Sequence, residues 1–219
     1  MNPGIRVVIA DDEPLVRAGV RAILQSSPAI EVVGEADNGH DAAEFVRSHH
    51  TDVLLLDIEM PRMDGIATTE EIRRNGIDTR VVILTTFGTD ENLRRGLTAG
   101  ADGFLLKASA PAELIAAVEA VAAGGTVIAP RVARYLVSAL RAAPTRSQQP
   151  QLTLLSDRET DVLRLLSSGH SNASIADILH LTEGTVKGYI STILRTLEVD
   201  NRVQAALIGY EAGLADPAI

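Results

Sequence analysis

The sequence predicts an α/β domain with a five-stranded parallel sheet, in a (βα)5 arrangement, and a separate all-α domain of four short helices. Three observations carry this. Apolar strand-like runs alternate with amphipathic helical patterns over residues 5–140. A polar run with two prolines, Arg141-Ala-Ala-Pro-Thr-Arg-Ser-Gln-Gln-Pro150, breaks the pattern and reads as a linker. Beyond it no strand signal remains. Strands alternating with helices of this length require right-handed crossovers and helices on both sheet faces.

Ile5–Ala10 is the first strand, and Glu13–Gln25 a helix with Pro14 in its first turn, where a missing N–H costs nothing. Ile30–Val33 is the second strand. Asn38 caps the helix Gly39–Ser48. Asp52–Leu56 is the third strand and runs straight into Asp57, followed by a helix over Asp64–Arg74. Arg80–Leu84, Thr89–Ala99 and Gly103–Leu106 supply the fourth strand, its helix and the fifth strand. Ser109 and Pro111 open an alanine-rich helix to Ala123, and Ile128–Leu140 reads as one more amphipathic helix. After the linker, Ser156-Asp-Arg-Glu159 is a capping-box pattern that starts a helix to Ser168. Ser171 caps Asn172–Leu179, His180-Leu-Thr182 is a tight turn, Glu183–Leu197 is a third helix, and Asn201 caps a fourth through Gly213. Two short helices joined by so tight a turn suggest a helix-turn-helix unit. The resulting division is 1–126, a linker helix and linker over 127–151, and 152–219.

Composition narrows the function. At 46% hydrophobic residues the chain has ample material for a packed core. It has no cysteine, hence no disulfide, thiolate metal site or thiol nucleophile. No signal core follows Met1, and no uncharged apolar run approaches the roughly 18 residues of a membrane span. A cytoplasmic protein with no membrane partner is expected. A net charge of -9 argues against general polyanion binding. The five histidines form no metal-ligating spacing and none is assigned a catalytic role.

The stretch Val53-Leu-Leu-Leu-Asp57-Ile-Glu-Met-Pro61-Arg-Met-Asp-Gly65 organises the first domain. An apolar run bounded by turn signals is a strand buried on both faces. Its terminal aspartate therefore sits at the carboxyl edge of the sheet, where ligands of open α/β sheets bind. Asp11 and Asp12 follow the first strand, Thr85 the fourth, and Lys107 the fifth, all at that same edge. Three convergent carboxylates need a cation, and an oxygen-only set suits Mg²⁺. Lys107 is one of two lysines among twenty basic residues, and a compact ammonium suits one phosphoryl oxygen better than a planar fork does. A hydroxyl, a lysine, a cation and a carboxylate nucleophile make a phosphoryl-transfer constellation with Asp57 as acceptor.

Val8-Ile-Ala-Asp-Asp12, Leu56-Asp57-Ile-Glu-Met-Pro61…Asp64-Gly65, Leu84-Thr85-Thr86 and Gly103-Phe-Leu-Leu-Lys107 together resemble a response-regulator receiver domain over residues 5–123. The resemblance implies a flavodoxin-like (βα)5 receiver phosphorylated on Asp57 by a sensor histidine kinase. It implies Mg²⁺ on Asp12, Asp57 and the Glu59 backbone carbonyl, with Asp11 acting through water. Thr85 and Phe104 would be the switch pair. Phe104 stands where many receivers have tyrosine, and Ala108 where many have proline.

Residues 153–215, from Leu155-Ser-Asp-Arg-Glu159 through Gly169-His-Ser-Asn172, Thr185-Val-Lys187 and Ile193-Leu194 to Leu197, resemble the LuxR-type helix-turn-helix of the NarL/FixJ regulators. Glu183–Leu197 would then read the major groove of promoter DNA. Thr182, Thr185, Lys187 and Ser191 are candidate contacts by position. Ser171 and Asn172, at a helix start, are candidates for phosphate. Gly188, Tyr189, Thr196 and Glu198 depart from the family pattern, and glycine inside a helix costs about 1 kcal/mol relative to alanine. Five Lys/Arg face nine Asp/Glu over residues 152–219, a net -4. Lys187, Arg195 and Arg202 would have to make any local positive face. Weak non-specific affinity and dependence on dimerisation follow. Val203, Leu207, Tyr210 and Leu214 form one stripe at helical spacing, which suits core and, as the family implies, the pairing of two subunits.

The expectation is a phosphorylation-dependent DNA-binding transcription regulator that is not an enzyme. Two alternatives stay open on the residues alone. The acidic balance of the helical domain suits a signalling adaptor that binds protein. A phosphoaspartate phosphatase would use the same carboxylates, but no substrate pocket or dedicated acid is visible.

Overall fold

The computed structural model describes residues 4–86, 90–129, 132 and 152–215. Strands β1 (Ile5–Ala10), β2 (Ile30–Ala36), β3 (Val53–Asp57), β4 (Arg80–Thr85), β5 (Gly103–Leu106) and β6 (Val127–Ile128) alternate with helices α1 (Pro14–Leu24), α2 (Gly39–Ser48), α3 (Gly65–Arg74), α4 (Asp90–Thr98) and α5 (Pro111–Ala122). The sheet order is β2-β1-β3-β4-β5-β6, parallel throughout. Leu54, Leu55 and Leu56 are each 0% exposed, as a strand covered on both faces requires. Their alternation divides them between two apolar cores, Leu55 with Val118 and Val121, Leu54 and Leu56 with Val46 and Ile72. Burying each such side chain contributes about 1.5–3 kcal/mol.

Two expectations are corrected. The sheet has six strands, not five, because Val127–Ile128 pairs with Gly103–Phe104. Ile128 is therefore a strand residue rather than the start of a helix, and the sheet reaches past residue 126. The apolar spacing at 127–132 fits either element, and only the exposed edge of β5 decides. Val132 is helical and buried; apart from it and Ala129, the rest of the helix expected to Leu140, and the linker at 141–150, lie outside the described residues, as does Thr89.

Helices α6 (Asp157–Ser167), α7 (Asn172–Leu179), α8 (Glu183–Thr196) and α9 (Arg202–Glu211) form the second unit. Each starts on a side-chain cap, and those at Ser156, Ser171 and Asn201 were visible in the sequence. Ser156, Ser171, Thr182 and Asn201 accept from the backbone N–H three residues on. Val162, Leu166, Ile175, Val186, Ile190 and Ile193 make its core. Glu198, one of the departures from the family pattern, has φ 54°, a left-handed conformation that favours glycine. Gly188 is the reverse case, with nothing within 4 Å of an added Cβ.

The two units touch. Asn201 Nδ2 donates to Leu97 O at 2.8 Å. Arg202 donates through Nη1 to Gly124 O and through Nη2 to His170 O at 3.1 Å. Burial, with Arg80 nearby and only Asp102 opposing it, pushes the Arg202 guanidinium down to about 10. Arg202 thus faces the sheet domain and adds nothing to a positive DNA-facing surface, contrary to expectation. Its place four residues from a helix-turn-helix made it look available, because sequence carries no sign of which domain covers α9.

Candidate functional site: a carboxylate pocket at the sheet edge

Three strand ends build the pocket. Asp11 follows β1, Asp57 ends β3 and Lys107 follows β5. The order β1-β3-β4-β5 makes them converge. Asp57 is held at depth by its neighbours. Gly65 N–H donates to Ile58 O at 2.9 Å, and a Cβ on Gly65 would fall 2.1 Å from Asp57 O. Only glycine lets the turn fold back under the strand end.

Lys107 Nζ lies 2.8 Å from Asp11 Oδ2 and 3.0 Å from Asp57 Oδ2, with Glu13 Oε1 at 3.5 Å. Asp11 and Asp57 are buried, while Asp12 and Glu59 are exposed at the rim. Burial pushes the Asp57 carboxyl up; Lys107 pulls it back only in part, and Asp11 adds to the rise. Burial works against the charge on Lys107, but its hydrogen bonds and attraction to Asp11 and Asp57 outweigh it, and its pKa is raised. Asp11 Oδ1 accepts from Glu13 N–H at 2.9 Å, and Arg17 Nη1 donates to Asp11 O at 2.5 Å. The sequence reading missed Glu13 and Arg17. Glu13 adjoins the acidic pair, a signal that its role as helix start obscured. Arg17 is one turn inside α1 and offered none.

Asp11, Asp12 and Asp57 each offer a carboxylate oxygen, all within 4.8 Å of one another. Asp11 Oδ2 is buried and faces the Lys107 ammonium at 2.8 Å, a single positive charge shared with the buried Asp57 carboxylate. Three carboxylates beside one ammonium leave an excess of negative charge on oxygen donors, which fits a hard cation, so the cluster can hold a metal. Thr85 is buried at the end of β4, and its carbonyl accepts from Lys107 N–H at 2.8 Å. Phe104 is fully buried and lies opposite Ile83 in the register, two residues short of Leu106, the partner of Thr85.

In the helical unit, Thr182, Thr185, Lys187, Ser191 and Arg195 are all exposed along α8. Several have duties within the fold. Thr182 Oγ1 accepts from Thr185 N–H at 3.2 Å, and Ser191 Oγ donates to Lys187 O at 2.9 Å. Ser171 Oγ accepts from Ser174 N–H at 3.1 Å, and Asn172 Oδ1 accepts from Arg202 at 3.3 Å. Val203 and Leu207 are buried, whereas Tyr210 is 53% exposed.

Residues 7–119 match the response regulator receiver domain, and residues 153–208 match the bacterial regulatory proteins of the luxR family. The chain belongs to the NarL/FixJ family of response regulators. This response regulator is 39% identical over 203 residues to the nitrate/nitrite response regulator protein NarP of Escherichia coli (strain K12), across 93% of each chain. It is 34% identical to the transcriptional regulatory protein DegU of Brevibacillus brevis, over 95% of this chain and 94% of DegU. Among solved structures, the response regulator ChrA of a heme-sensing two-component system is 37% identical with a TM-score of 0.55, over 96% of this chain and 98% of ChrA. RcsB, solved as two dimers bound to two parallel DNAs, is 28% identical with a TM-score of 0.57, over 95% of this chain and 98% of RcsB. This response regulator is a phosphorylation-dependent DNA-binding transcription regulator of a family of regulators rather than enzymes. The luxR match sets aside the adaptor alternative.

Proposed function

We propose that Asp57 is the phosphoacceptor, charged by a sensor histidine kinase, and that its acyl phosphate controls binding of a homodimer to promoter DNA. The observation that carries this is Lys107 reaching Asp11 and Asp57 at once, a fixed cation between two buried carboxylates. An Asp57 oxygen forms the bond to phosphorus as the bond to the kinase histidine nitrogen breaks, and the imidazole leaves with its electron pair. Lys107 balances charge on the transferring group, and the Thr85 hydroxyl orients one phosphoryl oxygen. Asp12, Asp57 and the Glu59 carbonyl would hold Mg²⁺, with Asp11 acting through water; the ion neutralises phosphoryl charge when bound. Thr85 and Phe104 carry the change to the rest of the receiver.

Residues 1–126 act as the receiver, 127–151 as the connection, whose first residues Val127–Ile128 add the edge strand β6 to the receiver sheet, and 152–219 as the effector. On α8, Thr185, Lys187, Ser191 and Arg195 face DNA, with Thr182, Ser171 and Asn172 at helix starts toward phosphates. Val203, Leu207 and Tyr210 pair two subunits; the likeness to RcsB supports a dimer on DNA. Among the described residues no helix is long and apolar enough to cross a membrane, in keeping with work in the cytoplasm. Incubation with acetyl phosphate and Mg²⁺ tests the pocket: the wild type is labelled and Asp57→Asn is not. Full labelling of Asp57→Asn refutes the assignment.

A further inference from the structure

The turn between β1 and α1 carries Asp11 and Asp12, and the two aspartates are held very differently. Asp11 N–H donates to Ala36 O at 3.2 Å, its Oδ1 accepts from Glu13 N–H at 2.9 Å, and its Oδ2 faces Lys107 at 2.8 Å. The Asp12 side chain stands exposed at the rim, with no hydrogen bond or ion pair among the described residues. Its position is therefore set by its backbone, and the peptide unit that leads into it begins at the Asp11 carbonyl. That carbonyl lies past the paired part of β1, since Ala10 is the last partner of both Ala36 and Leu56. With Asp11 0% exposed, it needs a donor from elsewhere. Arg17, one turn inside α1, supplies it through Nη1 at 2.5 Å.

Arg17 is itself aimed. Its Nε lies 3.6 Å from Glu35 Oε2, and the other oxygen of Glu35 accepts from Arg21 Nη1 at 2.8 Å. Only 17% of the Arg17 side chain is exposed. Glu35 precedes Ala36 in β2, so the end of β2 grips Asp11 twice, once through Ala36 O and once through the Glu35–Arg17 pair. A planar guanidinium serves a carboxylate at one edge and a carbonyl at another in fixed directions, which a flexible ammonium does not.

We propose that Arg17, oriented by Glu35, is a positioning residue for the cation site: it fixes the Asp11–Asp12 peptide and with it the direction from which Asp12 meets Mg²⁺. This rests on the reading of Asp12 and Asp57 as holding the ion. Charge alone would give the opposite sign. Arg17 adds a positive charge beside the carboxylate cluster, and a like charge weakens the binding of a cation. Loss of Arg17 therefore tightens Mg²⁺ if charge decides and loosens it if geometry decides. Glu35 already faces the Arg17 charge and offsets it, whereas nothing else holds the Asp11 carbonyl. Outer residues that keep metal ligands in place are typically worth about 10–100-fold in metal affinity, so geometry wins.

Calorimetric titration of the full-length chain with magnesium chloride tests this without any turnover. Arg17→Met should raise the Mg²⁺ dissociation constant about ten-fold. Arg17→Lys keeps the charge and can donate once to Asp11 O, so it should fall between Arg17→Met and wild type. Glu35→Gln leaves Arg17 in place but removes the charge that aims it; it should weaken Mg²⁺ by a smaller factor, and it decides the matter if Arg17→Met does not fold. Labelling by acetyl phosphate gives a second readout. The rate deficit of Arg17→Met should shrink as Mg²⁺ rises, whereas a helix that is merely loosened loses rate at every Mg²⁺ concentration. A dissociation constant that is unchanged or lower in the folded variants, or a rate deficit that Mg²⁺ does not diminish, overturns the inference. Asp12→Ala separates this from failure of the underlying reading: if it binds Mg²⁺ as tightly as wild type, or if wild type binds none, the assignment of Asp12 as a ligand is what fails.

Discussion

Lys107 Nζ stands 3.0 Å from Asp57 Oδ2 with 9% of either side chain exposed, and the same nitrogen holds Asp11 Oδ2 at 2.8 Å. One ammonium thus sits between two buried carboxylates, and removing it leaves like charges facing each other. Lys107→Met should therefore cost about 3–5 kcal/mol of stability in EDTA, the loss typical of breaking a buried pair. Mg²⁺ should restore part of that loss, because a cation can take over between the carboxylates. Urea unfolding with and without Mg²⁺ measures both; a variant as stable as wild type in EDTA contradicts the pairing.

Burial holds the folded Asp57 carboxyl above its ordinary value of 3.8. The folded state therefore binds its proton more tightly than the unfolded chain does. Its stabilising share is fully present below pH 3.8 and is lost as pH rises through the folded pKa. Between those two values wild type should lose stability relative to Asp57→Asn. Thermal midpoints in EDTA across the carboxylate range check this, and parallel curves for the two proteins would count against a raised Asp57.

Lys187 and Arg195 are exposed on α8, the only cations on that helix. Against a domain of net charge -4, each should matter to DNA affinity. Lys187→Ala and Arg195→Ala should each reduce the slope of log affinity against log salt by about 1, with labelling of Asp57 unchanged. An unchanged slope in fluorescence anisotropy across a salt series removes that residue from the DNA face.

Two positions of the effector carry backbone choices that run against local preference. Glu198 sits at φ 54°, and Gly188 lies inside α8 with open space around it. Glu198→Gly should stabilise by about 1 kcal/mol by removing left-handed strain, and Gly188→Ala by about 1 kcal/mol through helix propensity. Calorimetry on the full chain reads both. If Gly188→Ala stabilises yet weakens DNA binding, the glycine serves a close approach of the helix to the DNA.

The strands and helices around Asp57, the caps at Ser156, Ser171 and Asn201, and the gathering of Asp11, Asp12, Thr85 and Lys107 at one edge were legible in the sequence. Each follows from a local rule: period, cap or turn, joined to the single topology that parallel strands with helical crossovers permit. Tertiary structure alone decided that Val127–Ile128 would join β5, that Arg202 would turn toward Gly124 rather than toward DNA, and that Val203 and Leu207 would rest on Leu97 and Phe104. An apolar stripe announces by its spacing that it must be covered. Which surface covers it depends on competing contacts between residues a hundred positions apart, and no local pattern records the outcome of that competition.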